Sequence, residues 1–314
     1  MTGLVAICVC TMDRPQQLRQ LLRALGRLDA PGPGHREIVI VVDNSPDASA
    51  HAVVEEAAAS APERYRYAHE PRRGLAFARN RALGEAMLSR ADLIAFIDDD
   101  EMPAPRWLGS LVSCLDRCGG VAAVGPVAPV FSAPPPTWLP VAAHGVERCP
   151  DGQGYVQEGH TGNAILCAKF VRRHALRFDR RHNEIGGEDT HFFKCLREAG
   201  GRIAWASNAL VYESVPQSRM TLGWIWRRWQ RTAAIEAILN EDADRGTRAR
   251  LGNVVRGVIR IVAGAGLICW TGIAYSWTRP DLVMASSYTL CRGIGFLTAT
   301  MGARITEYGS PKRH

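Results

Sequence analysis

The sequence predicts an α/β fold with a mixed sheet flanked by helices, on three observations. Apolar β-branched runs alternate with helical patterns over residues 4–130, the rhythm of a parallel sheet with helices on its faces. The chain has 314 residues, 46% hydrophobic and 22% charged, which is ordinary globular composition at a length that buries a large core. An abrupt acidic run, Asp98–Glu101, follows an apolar strand, where open α/β sheets place their ligands. Collagen-like, disordered and disulfide-scaffold classes are excluded by the same composition.

In chain order, strands are expected at Leu4–Cys10, Glu37–Asp43, Arg64–His69, Asp92–Asp98 and Val121–Val130. Helices fall between them at Pro15–Leu28, Asp47–Ala59, Gly74–Leu88 and Pro105–Arg117. Pro15 and Pro105 suit a first helical turn, where a missing N–H costs nothing. Residues 131–161, with prolines at 134–136 and Gly145, Gly152, Gly154 and Gly159, read as a long irregular connection of the functional kind. A short strand around Ala164–Ala168, a helix from Glu188 to Ala199 stopped by Gly200, and a strand pair near Arg202–Tyr212 then make the sheet mixed. A Trp- and Arg-rich helix at 218–240 and two apolar stretches, Val254–Trp277 and Leu282–Met301, close the chain. The expected division is a catalytic-type domain over 1–240 and a basic, apolar helical region over 241–314.

Charge is distributed unevenly. The formal net charge is +7, yet residues 1–214 hold one more acid than base and residues 215–314 hold eight more bases than acids. A neutral body with a basic, partly apolar tail points to an anionic partner for the tail, and membrane phospholipid fits better than nucleic acid because no nucleic-acid reader motif accompanies the charge. Ile261–Thr278 carries no charge and is flanked by Arg256, Arg260 and Arg279, while the second stretch is broken by Arg292. Peripheral attachment is therefore expected, with two spans, or an apolar helix pair in the core or in a homo-dimer, as the alternatives.

Nine cysteines, at 8, 10, 114, 118, 149, 167, 195, 269 and 291, are an odd count without paired metal-type spacing, which fits reduced thiols in a cytoplasmic compartment. The opening MTGLVAICVC runs into Asp13 and Arg14 with neither a basic n-region nor an apolar run of signal-peptide length, so export is not expected.

The chemistry-bearing residues lie mainly where strands end. Asp98, Asp99, Asp100 and Glu101 would repel one another by about 1 kcal/mol per adjacent pair even in water, and a divalent cation would relieve them. Hard oxygen ligands select Mg²⁺ or Mn²⁺, either of which can bridge nucleotide phosphates; a solvated acidic turn is the plain alternative. Asp43 ends another strand and could accept a hydrogen bond from a base N–H, or could cap a turn or helix. The first strand runs into Thr11 and Arg14, and Arg14 is either a diphosphate ligand or a surface arginine. In GGEDTHFF, Glu188 and Asp189 open a helix after two glycines. One of the pair could act as a general base toward a hydroxyl, or both could serve as caps.

Taken in order over residues 4–235, these segments resemble the inverting family 2 nucleotide-sugar glycosyltransferases of GT-A fold. Thr11, Arg14, Pro15 and Leu18 match the nucleotide-binding T-x-x-R-P-x-x-L, and Asp43 matches the base-reading Asp. RRGLAFARN matches a Gly-x-x-x-Ala-Arg-Asn stretch, which implies Gly74, Arg79 and Asn80 near the nucleotide. The DxD metal motif falls on Asp98 and Asp100 with Asp99 between them. Gly162 and Asn163 match the family's Gly-Asn, and Glu188–Asp189 its acceptor motif, with Asp189 implied as the base.

Two departures accompany the match. Glu213 stands where many relatives carry His, and the Gln-x-x-Arg-Trp signature is absent; Arg227, Arg228 and Arg231 of WRRWQR are the candidates to meet donor phosphates or an anionic acceptor. VPQSR, with Arg219, resembles exopolysaccharide-type members. The resemblance implies inverting transfer from a nucleotide-sugar, UDP-sugar foremost, to a hydroxyl of a glycan, lipid-linked or small-molecule acceptor, at the inner face of the cell membrane. A nucleotidyltransferase-type enzyme or a non-catalytic nucleotide-sugar-binding protein is the alternative; the first normally opens with a Gly-rich phosphate loop, which CTMDRP lacks.

Overall fold

The computed structural model of the chain describes residues 3–183, 186–243, 247–275 and 278–302. These form two compact units, the first of residues 3–130, 145–183 and 188–214 and the second of 131–144, 186–187 and 215–302.

The elements up to residue 215 are, in order, β1 (Gly3–Thr11), α1 (Pro15–Leu25), β2 (His35–Asp43), α2 (His51–Ala58), β3 (Tyr65–His69), α3 (Leu75–Leu88), β4 (Leu93–Asp98), β5 (Glu101–Pro103), α4 (Trp107–Cys118), β6 (Ala122–Val124), β7 (Val127–Phe131), β8 (Tyr155–Val156), β9 (Asn163–Cys167), α5 (Ala168–Arg173), α6 (Glu188–Glu198), β10 (Ile203–Trp205) and β11 (Val211–Val215). Eight strands form one sheet in the order β3-β2-β1-β4-β9-β6-β10-β8. Its first four strands are parallel and β9 runs against both β4 and β6, so the sheet is mixed, as expected.

Strand periodicity divides the core into two layers. Val5, Ile7 and Val9 of β1 pack with Leu18 and Leu21 of α1 and Trp107 of α4. Ala6 and Cys8 face the other way, toward Ala78 and Ala82 of α3 and Phe192 of α6. Parallel register then sets Thr11 beside Asp43, Asp43 beside His69, and Cys10 beside Asp98. The carboxyl ends of four strands therefore share one edge.

Two expectations are corrected. Val121–Val130 is not one strand: β6 belongs to the large sheet and β7 to a second sheet, β5-β11-β7. The break falls at Gly125–Pro126, where a Cβ on Gly125 would lie 2.7 Å from Asn163 Nδ2 and proline offers no ladder N–H. Likewise the two strands near Arg202–Tyr212 do not pair with each other. β10 runs parallel to β6 in the large sheet and β11 pairs with β5 in the small one. Short β5, β8 and α5 escape a periodicity reading because none spans enough residues to show a period.

The second unit contains α7 (Leu222–Ala243), α8 (Thr247–Tyr275) and α9 (Pro280–Thr300). Ile225 and Trp229 of α7 pack with Met284 and Cys291 of α9. Glycines let α8 and α9 close up: a Cβ on Gly293 would lie 2.7 Å from the Gly257 carbonyl and 2.8 Å from Ile261 Cγ1. The outer face of α8 is uncovered, with Val262, Trp270 and Ile273 at 67%, 68% and 85% exposure. Among the described residues α8 is the one helix long and apolar enough to cross a membrane, with mean hydropathy 1.7. Ser276 and Trp277, part of the first expected apolar stretch, and the tail residues 303–314 lie outside the described residues.

Candidate functional site

At the shared strand edge the acidic run is held by its neighbours. Thr11 Oγ1 donates to Asp99 Oδ2 at 2.7 Å, and Arg14 Nη1 donates to Asp99 Oδ1 at 3.0 Å and Asp100 Oδ2 at 3.2 Å. Beneath them Glu101 is buried and accepts from the Asp98 backbone N–H at 3.0 Å. Gly162 packs closely here, since a Cβ would lie 2.5 Å from Glu101 Oε1 and would have to displace that carboxylate.

Burial, opposed by Thr11 and Arg14 and reinforced by Asp100 and Asp98, lifts the Asp99 carboxyl to about 6. Asp98 is also raised, by desolvation first and against the pull of Arg79, with Asp100 and Asp189 adding to it. Glu101 lies well above its ordinary range, from burial and then Asp98. An edge that makes its own carboxylates hard to ionise is one that a cation would stabilise, and the donors are all hard oxygens, so the residues fit Mg²⁺ or Mn²⁺. Glu213, on β11, is paired in register with Glu101 and brings another carboxylate to this region.

Arg79 joins the acidic edge to the Glu188–Asp189 pair. It lies on α3, is 4% exposed, and donates to Glu188 Oε1 and, at 3.3 Å, to Asp98 Oδ1. Its guanidinium also stands 5.8 Å from the Phe178 ring centre. Burial works against its charge, but Glu188, then Asp98 and Asp189, hold it more firmly protonated than an ordinary arginine. Glu188 is buried at the start of α6, whereas Asp189 beside it is half-buried and accepts from the Thr190 N–H at 2.6 Å. The pair is thus divided between an inward carboxylate that holds Arg79 and one that reaches toward solvent.

Several sequence-predicted residues are engaged inside the protein. Asp43 is fully buried; its Oδ1 accepts from the Ser45 N–H at 2.9 Å and from the Ser45 hydroxyl, and its Oδ2 from the Ala50 N–H at 2.7 Å and Tyr67 OH at 3.2 Å. It organises the loop after β2. Gly74 begins α3 with φ 139°, and a Cβ there would lie 2.5 Å from Asn183, whose Oδ1 accepts from the Ala76 N–H. Asn80 both donates to the Phe178 carbonyl and accepts from its N–H. Asn163 is fully buried, accepting from Trp107 Nε1 at 2.8 Å and donating to the carbonyls of Pro126 at 2.9 Å and Ala209 at 2.6 Å. Asp43 and Asn163 shape the site from within, while Gly74 and Asn80 are half-buried.

Arg227, Arg228 and Arg231 belong to α7 in the second unit. Arg228 stands 5.2 Å from the Trp224 ring centre, and Trp224 stacks on His144 at 5.2 Å.

His160 gives no signal in the sequence, being a single histidine in a Gly-rich loop. It hydrogen-bonds to the Gly125 backbone, and burial first, with Asp189 opposing and Arg148 reinforcing, lowers it to about 4. Its Nε2 is shielded from solvent without a hydrogen-bond partner among the described residues.

The mixed α/β sheet with its acidic strand ends gathered on one edge is of the GT-A fold, which the solved structures below share. The Glycosyl transferase family 2 model matches residues 6–178. Succinoglycan biosynthesis protein ExoM of Rhizobium meliloti is 32% identical over 271 residues, 86% of each chain. Mannosyltransferase PcManGT from Pyrobaculum calidifontis, solved with GDP-Man and Mn²⁺, superimposes with TM-score 0.56 at 19% identity, covering 96% of this chain and 76% of that one. S. aureus TarS 1-349 in complex with UDP-GlcNAc gives 0.52 at 14% identity, covering 91% and 90%. The chain belongs to glycosyl transferase family 2.

Proposed function

We propose that the chain is an inverting, metal-dependent glycosyltransferase that moves a sugar from a nucleotide-diphosphate donor, a UDP-sugar foremost, to a hydroxyl of a glycan, lipid-linked or small-molecule acceptor. One observation carries this reading: Arg79 ties the acidic edge at Asp98 to Glu188, whose neighbour Asp189 is free to face an acceptor. The ExoM likeness supports a place in polysaccharide synthesis.

On this reading Asp189 accepts the proton of the acceptor hydroxyl as its oxygen bonds to the anomeric carbon. The bond from that carbon to the diphosphate oxygen breaks on the opposite face, and configuration inverts. Glu188 keeps Arg79 in place beside this reaction. Arg14, through Asp99 and Asp100, orders the diphosphate end, and the loop that Asp43 and Gly74 shape takes the nucleoside. Asp98 and Asp100 would hold Mg²⁺ or Mn²⁺, which supplies charge stabilisation to the departing diphosphate. Gly162 and Asn163 fix the floor toward the acceptor, and Arg227, Arg228 and Arg231 offer cationic contacts for donor phosphates or an anionic acceptor.

The exposed apolar face of α8, with Arg256 and Arg260 on the same helix, supports peripheral attachment to the inner face of a cell membrane, with dimerisation through the C-terminal helices as the competing use of that face. Residues 1–240 are the proposed catalytic domain and 241–314 the attachment region.

Thermal-shift screening of UDP-, GDP- and dTDP-sugars with and without Mn²⁺ tests the donor, because ligands that bind the native state raise Tm. A Mn²⁺-dependent shift with one donor, followed by NMR of the inverted product anomer, is the expected result. No shift with any donor would remove the proposal.

A further inference from the structure

A cluster of ligand-type side chains lies in the first unit outside the acidic edge. Asp179 precedes a short 3₁₀ turn, Arg180–His182, and His191 projects from the first turns of α6. One ligand atom from each of Asp179, His182 and His191 lies within 4.8 Å of the others. The His182 and His191 rings are 5.2 Å apart at a 36° tilt. One helical turn further along, Cys195 Sγ stands 3.8 Å from His191 Nδ1 and 3.7 Å from Nε2.

The donors are one carboxylate, two imidazoles and one thiol, a mixed N, S and O set that suits zinc and is poor for the hard ions that fit Asp98 and Asp100. Zinc bonds of about 2.0–2.3 Å place tetrahedral ligand atoms about 3.3–3.8 Å from each other, so Asp179, His182 and His191 are within side-chain rotation of a shared ion, and Cys195, beside His191, is the side chain one turn on that can turn toward it. Arg181 competes for Asp179: its N–H donates to Oδ1 at 2.9 Å, and its Nε and Nη2 donate to Oδ2 at 2.9 and 2.6 Å. That leaves an Oδ1 lone pair for a cation. His182 is buried, whereas Asp179, His191 and Cys195 are half-buried, which leaves a route for an ion to enter.

We propose that Asp179, His182, His191 and Cys195 form a zinc site, separate from the acidic edge, that clamps the 179–182 turn to α6. In sequence the clamp brackets Glu188 and Asp189, so occupancy would stiffen the start of the helix that carries them. The site stands without the glycosyltransferase reading, and its test needs no donor.

The whole chain, stripped with a chelator, is dialysed against Zn²⁺ in the presence of excess Mg²⁺, and bound zinc is measured by mass spectrometry. Wild type and the Asp98→Asn/Asp100→Asn variant are each expected to retain one zinc, and His191→Ala to lose at least ~10²-fold in zinc affinity. Zinc should raise Tm in wild type and not in His191→Ala, whose Tm without metal shows that it still folds. Cobalt in place of zinc should give thiolate-to-metal absorption that Cys195→Ser abolishes. Equal zinc in wild type and His191→Ala, or zinc lost with the Asp98/Asp100 pair, overturns the site. A cobalt complex lacking the thiolate band overturns the four-ligand assignment.

Discussion

The Arg79 guanidinium donates to the Glu188 carboxylate across 109 residues of sequence and to Asp98 at 3.3 Å, making one buried cation the junction of α3, α6 and the end of β4. Both Arg79 and Glu188 are nearly inaccessible, at 5% and 6% side-chain exposure. Removing one partner would strand the other charge. Arg79→Met is therefore expected to destabilise the protein by about 3–5 kcal/mol in urea unfolding. Arg79→Lys keeps the charge and loses the two-armed donor geometry, so it should unfold closer to wild type while losing turnover by at least ~10-fold. If Arg79→Met unfolds at the wild-type midpoint, this junction does not hold the site together.

Asp189 and Glu188 are adjacent but not equivalent, and substitution should separate them. Asp189→Asn is expected to leave nucleotide affinity within a few-fold and lower turnover by ~10² or more, as loss of a general base does. Glu188→Gln should lower thermal stability as well as turnover, because it weakens a buried ion pair. Donor titration calorimetry beside turnover resolves the two effects, and unchanged turnover in Asp189→Asn would take the base role from that residue.

How much was legible in the sequence depends on whether a feature is local. Val5, Ile7 and Val9 advertise a strand by themselves, and the acidic run announces a strand end. The Gly125–Pro126 break has a local part, the Gly-Pro pair that interrupts a strand, and a non-local part, the packing of Gly125 against Asn163 and Ala209, which the sequence does not show. Nothing in residues 202–212 says that the two strands choose different sheets. The Arg79–Glu188 junction and the Asp179–His182–His191 cluster join segments whose meeting is a property of the fold, and no periodicity encodes them. Asn163 stands out in the sequence only through its match to the family's Gly-Asn, and its three inward hydrogen bonds belong to the fold.

Those bonds give Asn163 a measurable signature. Asn163→Leu leaves Trp107 Nε1 and the Ala209 carbonyl without their partner in a buried place, while the Pro126 carbonyl keeps the Val211 N–H at 3.2 Å. Each stranded group costs about 1–3 kcal/mol, so the variant should be severely destabilised or unfolded by circular dichroism. A well-folded Asn163→Leu with only a raised acceptor KM would contradict the structural role.

Acid sensitivity follows from His160. Its folded pKa of about 4 lies below its ordinary 6.5, with burial as the main cause, Asp189 opposing, and Arg148 and Arg79 reinforcing. The unfolded chain therefore takes up a proton as pH falls below about 6.5 that the folded chain refuses until about 4. This contribution to stability is complete above 6.5 and is lost as pH falls through that window. His160→Gln should show a shallower fall of Tm between pH 7 and 4.5 than wild type. Parallel curves would mean that His160 is not held neutral.

The uncovered face of α8 offers the last test, because its residues contribute little to the fold as described. Val262 and Trp270 are 67% and 68% exposed, so replacing both with Glu removes few internal contacts and should leave Tm within about 2 °C, in keeping with surface substitutions worth about 0.5 kcal/mol or less. Membrane affinity should respond strongly, since buried apolar area and attraction to anionic lipid are both reduced. Wild-type protein is expected to sediment with vesicles containing anionic lipid and to be released by high salt or detergent, while the Val262→Glu/Trp270→Glu double variant stays in the supernatant. Should the double variant stay with vesicles and instead lose a dimer in analytical ultracentrifugation, the face serves a second copy of the chain and not a lipid surface.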